Sequence, residues 1–366
     1  MTKQNETMSS PAAQKIQLKS LESLRGIAAL MIVFYHLGEV LKVPMPNDLG
    51  HVLNNFWLGV PLFYTLSGFV IAYGYAERLK NGNQRLKFYI ARFFRIAPLF
   101  YTMLAILTLW TWVNHHQIMD LQTMFLNVTF MFGLVPGKHE SIVLAGWSIG
   151  IEMLFYMLFP LLAITIKTIP RAVIAFVIAC CSSAWIQWQL GQSFGSYGYM
   201  NLITHLPFFI AGLGGYRIWQ HMEFSQSRAG WMLLGLSLFS GLAIVSNIVP
   251  VFDYLPRLFY LDLWALIYSA LILSVCLVSF APLEHTMLRR CGELSFSLYL
   301  LHPMLMLVLV KLQLVAWLSS KFASEWLVFA SASLITLGLL WGLANITYRL
   351  VEVPGIALGR RLARAC

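Results

Sequence analysis

Seven side chains of chemically capable type stand within almost wholly apolar surroundings: Arg25, His36, Glu39, Arg92, Arg95, Glu152 and His302. An ionisable group in hydrocarbon costs a few kcal/mol or more, so it needs a partner, a cavity or a substrate path. His36 follows Arg25 by 11 positions. On an α-helix that is about 16 Å along the axis and only about 20° around it, so the two share one face. An imidazole titrating near neutral pH suits a general base on a hydroxyl, or a transient acyl carrier. Glu39, three residues on, lies close enough to that face to orient the ring. Arg92 and Arg95 are i,i+3 neighbours in "ARFFRIAP", and paired guanidiniums match phosphate oxygens. Glu152 lies five residues into the apolar run that opens at Trp147, about 7–8 Å deep. That depth is expected to bring it to His36 across a helix interface. His302 precedes Pro303, whose ring frees a carbonyl one turn earlier. A structural role in satisfying that carbonyl is the expectation for His302 or Tyr299.

Each of these has a plainer reading. The arginines also serve as positive anchors at a membrane edge, and His36 and Glu152 as buried groups bonded to neighbouring helices. "TLSGF", with Ser67-Gly68, reads first as a small-residue helix contact. His115-His116 read as solvated loop residues, and the five cysteines, with no CxxC pair, as packing residues. No G-x-S-x-G, H-E-x-x-H or nucleotide-cradling glycine loop occurs, and no metal site is expected.

The elements that must hold these residues follow from composition. Of 366 residues 59% are hydrophobic and 11% charged, far below the quarter or so of charged residues in soluble domains. The expected fold is all-α: a polytopic integral membrane protein, not a nucleic-acid binder. A span needs about 20 apolar residues, and ten such runs occur, at 24–41, 56–75, 94–113, 147–166, 172–190, 202–219, 230–249, 259–280, 296–318 and 326–348. The segment 125–135 is too short and reads as interfacial or re-entrant. Ten crossings put both termini on one side. With that side cytoplasmic, 20 of the 25 Lys+Arg fall on it, as insertion favours. The expected organisation is a disordered cytoplasmic tail at 1–20, a transmembrane domain at 21–350 and a basic cytoplasmic tail at 351–366.

The stretches "LESLRGIAALMIVFYH", "RFFR", "FYTLSGFVI", "WSIGIEMLFY", "FSLYLLHP" and "EVP" occur in that order. In this series the chain resembles the acyltransferase-3 family, membrane-bound O-acyltransferases of bacterial envelope and secreted carbohydrates. Arg25 and His36 match its R-x10-H motif, and Arg92 and Arg95 its R-x-x-R motif. The resemblance implies an acyl-CoA donor, acetyl-CoA foremost, at the cytoplasmic face of the bacterial inner membrane. It implies a carbohydrate or glycolipid hydroxyl reached from the other face. His36 and Glu152 are then the expected catalytic residues, and Arg25, Arg92 and Arg95 the expected donor-binding ones. Some relatives append an extracytoplasmic esterase-like domain; if that chemistry is needed here, a separate protein is expected to supply it. The rival reading is a proton-coupled transporter or flippase of an anionic or lipid-linked solute, with His36 and Glu152 as a relay. No internal repeat of the transporter kind supports it.

Overall fold

The structure, a computed structural model, describes residues 11–79, 81–116, 118–222, 227–246, 248 and 259–366. The first ten residues of the expected tail, and the loop arginine Arg257, lie outside the described residues. Backbone polar groups in a bilayer must be satisfied within their own segment, which favours helix throughout. No strand occurs among the described residues.

In chain order the helices are α1 Pro11–Glu39, α2 Asn47–Leu53, α3 Gly59–Tyr75, α4 Gly82–His115, α5 Leu121–Thr129 and α6 Trp147–Thr165. Then come α7 Ile169–Phe194, α8 Leu202–Trp219, α9 Ser227–Val245 and α10 Tyr260–Leu277. The chain closes with α11 Thr286–Glu293, α12 Ser295–Lys311, α13 Leu314–Lys321, α14 Glu325–Thr347 and α15 Val353–Ala365. Among the described residues eight helices are long and apolar enough to cross a bilayer, or nine when α11 and α12 count as one broken span. The one expected span outside this class is the sixth, 202–219, which forms α8, an 18-residue helix. It carries His205, Arg217 and three glycines, which make it too polar for that class, and most of it is buried. The segment 125–135 forms α5 and a 3-10 turn at Phe132–Leu134 and does not span.

The outer surface is apolar. Trp112, Trp188, Phe239, Leu334 and Leu350 all point outward, as lipid requires and water would not tolerate. The protein is an integral, multi-pass membrane protein.

Lipid tails give helices no hydrophobic reason to associate, so close backbone contact through small residues carries the packing. At the centre α3 crosses α8 through two glycines. A Cβ on Gly68 would sit 2.2 Å from the Phe209 carbonyl oxygen, and one on Gly212 would sit 2.1 Å from that of Thr65. Phe155 of α6 stacks on Phe209 of α8 at 3.9 Å. A second such crossing joins α1 to α11, where a Cβ on Gly292 would lie 2.0 Å from the Glu22 carbonyl oxygen.

Two breaks aim side chains inward. Helices α11 and α12 meet at 71°, which turns Ser295, Ser297, Tyr299 and His302 into the core. Between α14 and α15 a π-helical turn at Tyr348–Glu352 buries Glu352, a use of the π-turn common at working sites. The ends of the chain differ from expectation. Helix α1 starts at Pro11, within the stretch 1–20 expected to be disordered, and 353–365 is a helix docked on α4, not a loose tail. Gly355 and Gly359 lie against Pro98 and Phe94, so α15 packs too closely for a tail.

Candidate active site

Helix α1 lines three spaces in succession. Lys19, Glu22 and Arg25 face a basin of about 690 Å³. Arg25 also faces a neck of about 40 Å³. Ile32, His36 and Val40 face a chamber of about 550 Å³. The spacings of 3, 3, 7, 4 and 4 residues between these positions trace one helical stripe. Arg25 lines both basin and neck, and Val60 and Tyr299 line both neck and chamber, so the three spaces lie next to one another in series.

The basin is cationic. Arg92, Arg95, Arg289 and Arg360 join Lys19 and Arg25 in its wall, against Glu22 and Glu293. Lys19 near the start of α1 and Arg360 near the end of α15 lie at the same end of the molecule. Arg92 Nη2 donates to the Tyr75 hydroxyl at 3.3 Å and its guanidinium lies over that ring at 5.2 Å. Its buried Nε has no hydrogen-bond partner. Arg95 Nη1 donates to Glu352 Oε2 at 2.8 Å, and Glu352 Oε1 accepts from the Ser297 hydroxyl. Glu352 thus fixes one edge of the Arg95 fork. The paired arginines expected from spacing do share one cavity wall.

The neck is lined by Arg25, Phe63, Tyr64, Ser148, Glu152 and Tyr299. The Arg25 guanidinium rests over Phe63, 5.9 Å from its centroid. Glu152 Oε1 accepts from Ser67 Oγ at 2.9 Å and from the Tyr156 hydroxyl at 2.5 Å. Ser67, expected only at a small-residue contact, is thereby a carboxylate partner. The Ser148 and Tyr299 hydroxyls lie 2.6 Å apart, and Tyr299 also donates to the Ala145 carbonyl oxygen at 3.0 Å.

His36 and Glu152 do not meet. Glu152 faces the neck and His36 the chamber, and the partner of His36 is His302. Depth along the membrane normal constrains height and not azimuth, so two groups at one level can face different neighbours. Glu39 is exposed at the end of α1 and lines none of the three spaces, though its charge acts on the His36 ring. His302 satisfies a backbone carbonyl, as expected, but does more than that.

The imidazole pair has assignable tautomers. His36 Nδ1 lies 3.0 Å from the Ile32 carbonyl oxygen, and His302 Nδ1 lies 3.2 Å from that of Leu298. A carbonyl oxygen only accepts, so both Nδ1 atoms carry the proton. His302 Nε2 is then an acceptor, and it lies 3.1 Å from His36 Nδ1. The His36 N–H is therefore shared between Ile32 and His302. Its Nε2 keeps an unprotonated lone pair with no protein partner among the described residues. That is the form a general base requires.

Beyond His36 the chamber is aromatic: Tyr35, Trp57, Trp147, Tyr199 and Tyr299 line it. Tyr199 lies edge-on to Trp57 at 5.8 Å and tilted against Trp147 at 5.4 Å. The rim between α5 and α6 is strained and tied. Ser141 and Ala145 have φ of +72° and +58°, which costs L-residues about 1–2 kcal/mol each. Asn127 Oδ1 accepts from Ser141 Oγ at 2.6 Å and from the Ile142 amide at 3.0 Å. Asp120 accepts from the side chain and amide of Thr123 and from Lys138. Those donors hold its carboxyl well below the usual carboxylate range. Among the described residues no three His, Cys, Asp or Glu gather as metal ligands.

Sequence reasoning did not pick out Ser148, Glu352 or the histidine pair. The first two lie within the quoted "WSIGIEMLFY" and "EVP" stretches, but no spacing assigned either of them a role. The pair joins positions 266 residues apart, which no local period can relate.

Comparison with known proteins agrees with this architecture. Residues 18–345 match a family described as "Acyltransferase domain". The chain is 22% identical over 309 residues to "Putative acetyltransferase ORF330" of Acidianus two-tailed virus, covering 83% of this chain and 88% of that one. It is 23% identical over 370 residues to Nodulation protein 10 of Rhizobium leguminosarum bv. viciae, covering 93% of each. Peptidoglycan O-acetyltransferase OatA of Listeria monocytogenes is 26% identical over 191 residues, 46% of this chain and 28% of that protein. No solved structure matches. With nine-tenths of its length inside the family match, the chain belongs to the acyltransferase-3 family.

Proposed function

We propose that this protein transfers an acyl group, acetyl foremost, from acyl-CoA to a hydroxyl of a cell-envelope or secreted carbohydrate in the bacterial inner membrane. The observation that carries this is the series of adjoining spaces from the arginine basin, past the Arg25 neck, to the chamber that His36 lines, which we take as the donor's route. Sidedness follows from charge: the arginine end is the cytoplasmic one, with both termini there, since positive residues stay inside. The carbohydrate acceptor is supported by the aromatic chamber and by the similarity to the peptidoglycan O-acetyltransferase OatA.

In this reading the phosphates of CoA engage the free donors of Arg92 and Arg95, with Arg25 at the top of the basin. The pantetheine arm threads the neck and brings the thioester carbonyl to the chamber. His36 Nε2 takes the proton of the acceptor hydroxyl as its oxygen attacks that carbonyl. The tetrahedral centre then collapses to the ester, and the sulfur leaves with the proton returned from the imidazolium. The products are an ester and the free CoA thiol. His302 Nε2, by accepting from Nδ1, holds the ring in the reactive tautomer and stabilises its charged form. Glu152, with Ser67 and Tyr156, sets a negative charge in the neck near Arg25. Its role is positioning, not direct contact with His36.

The test is acceptor-dependent release of CoA thiol by the purified protein in lipid nanodiscs, supplied with acetyl-CoA and a peptidoglycan or glucan oligosaccharide. The wild type releases thiol and yields the acetylated sugar, whereas His36→Ala is inserted normally and does neither. Thiol release by His36→Ala at the wild-type rate contradicts the mechanism.

A further inference from the structure

The charges along the passage are distributed unevenly. Six Lys and Arg side chains line the basin, while among the described residues no Lys or Arg lines the chamber, where Glu140 is the one formal charge beside the neutral His36 ring. Glu140 is held at the rim by Ser196, whose hydroxyl donates to its Oε1 at 3.2 Å. Nearby loop groups do not offset it. Lys138 is paired with Asp120 at 2.9 Å, and the adjacent His139 is buried, which pushes its imidazole toward the neutral form. The remaining lining is aromatic rings, Ser141 and aliphatic side chains.

On the reading given above, we infer that the sugar unit seated in the chamber is neutral or amino-bearing, and that Glu140 selects against a unit carrying a carboxylate or phosphate. Aromatic faces stack on the apolar C–H faces of a pyranose and are indifferent to its hydroxyl pattern. An anionic substituent there would lose water, meet no cation and stand against Glu140, whereas an ammonium would gain an ion-pair partner and ring faces. The transfer itself is unchanged: a C–O ester bond forms, the C–S bond breaks, and the hydroxyl proton ends on the CoA thiol.

Three oligosaccharides of one backbone test this: cellotetraose, its C6-carboxylate form and chitosan tetramer. Two readings are taken on the full-length protein in nanodiscs, quenching of tryptophan fluorescence for binding and thiol release for transfer. The inference expects the carboxylate form to bind at least about tenfold more weakly than the neutral one, with a gap that narrows at high salt. Glu140→Gln should shrink that gap, and Glu140→Lys should reverse it. Equal binding of the neutral and carboxylate sugars by the wild type, or an unaltered preference in Glu140→Lys, overturns the inference. Loss of thiol release with every sugar would instead overturn the transferase reading, while the binding series would still decide the charge preference.

Discussion

At the scale of single residues the chemistry depends on one nitrogen. His36 Nε2 is kept unprotonated because Nδ1 is committed to Ile32 and His302. Removing a general base costs about 10²–10⁴-fold in rate, so His36→Gln should lose transfer to that extent while retaining donor binding. His302 acts on the ring and not on the substrate. The loss of one neutral hydrogen bond, about 1 kcal/mol, implies a drop of roughly fivefold in kcat for His302→Leu, with KM for the acceptor unchanged. A change confined to KM would place His302 in the binding wall instead. The two arginines should separate in experiment. Arg92→Ala should raise KM for acetyl-CoA and leave stability nearly intact, because its main-chain surroundings do not depend on it. Arg95→Ala strands Glu352, whose side chain is fully buried, and breaking such a pair from one side costs about 3–5 kcal/mol. Thermal unfolding in detergent should therefore fall sharply for Arg95→Ala, and Glu352→Gln should recover part of it in the double variant.

At the scale of elements, positions read from a single helix were legible and positions joining helices were not. Arg25 and His36 share a stripe because helical geometry is local, and the structure keeps them on that stripe. The Arg92–Arg95 spacing holds for the same reason. The expected meeting of Glu152 with His36 fails because it needed the rotation of α6 about its own axis, which packing decides. That packing runs through glycine crossings that hydropathy does not register. Gly68→Val and Gly212→Val should each force α3 and α8 apart, at a cost of about 1–3 kcal/mol or more, seen as a lower melting temperature in detergent. Gly235→Ala, where an added Cβ meets nothing, is the control and should be neutral. The 71° break before α12 was equally hidden. Gly292, two residues ahead of Leu294, reads as readily as a helix contact, and nothing in the sequence gives the angle that turns Tyr299 and His302 inward.

At the scale of the whole molecule, class and membrane character were legible from composition, whereas the passage was not. It is assembled from α1, α3, α4, α6, α11, α12 and the final helices, and it exists only once all of them are packed. Its narrow point is the neck of about 40 Å³, enough for a few waters or a slim chain. Val60 faces both neck and chamber. Val60→Trp should plug the route, abolishing transfer while acetyl-CoA still binds in the basin with wild-type affinity. The most direct test of a through-passage is ester formation in sealed proteoliposomes of one orientation, with acetyl-CoA on the arginine side and the acceptor sugar trapped on the other. The account predicts acetylated sugar inside and free CoA thiol outside, with both lost in Val60→Trp. Ester that forms only when donor and acceptor share one compartment would contradict it.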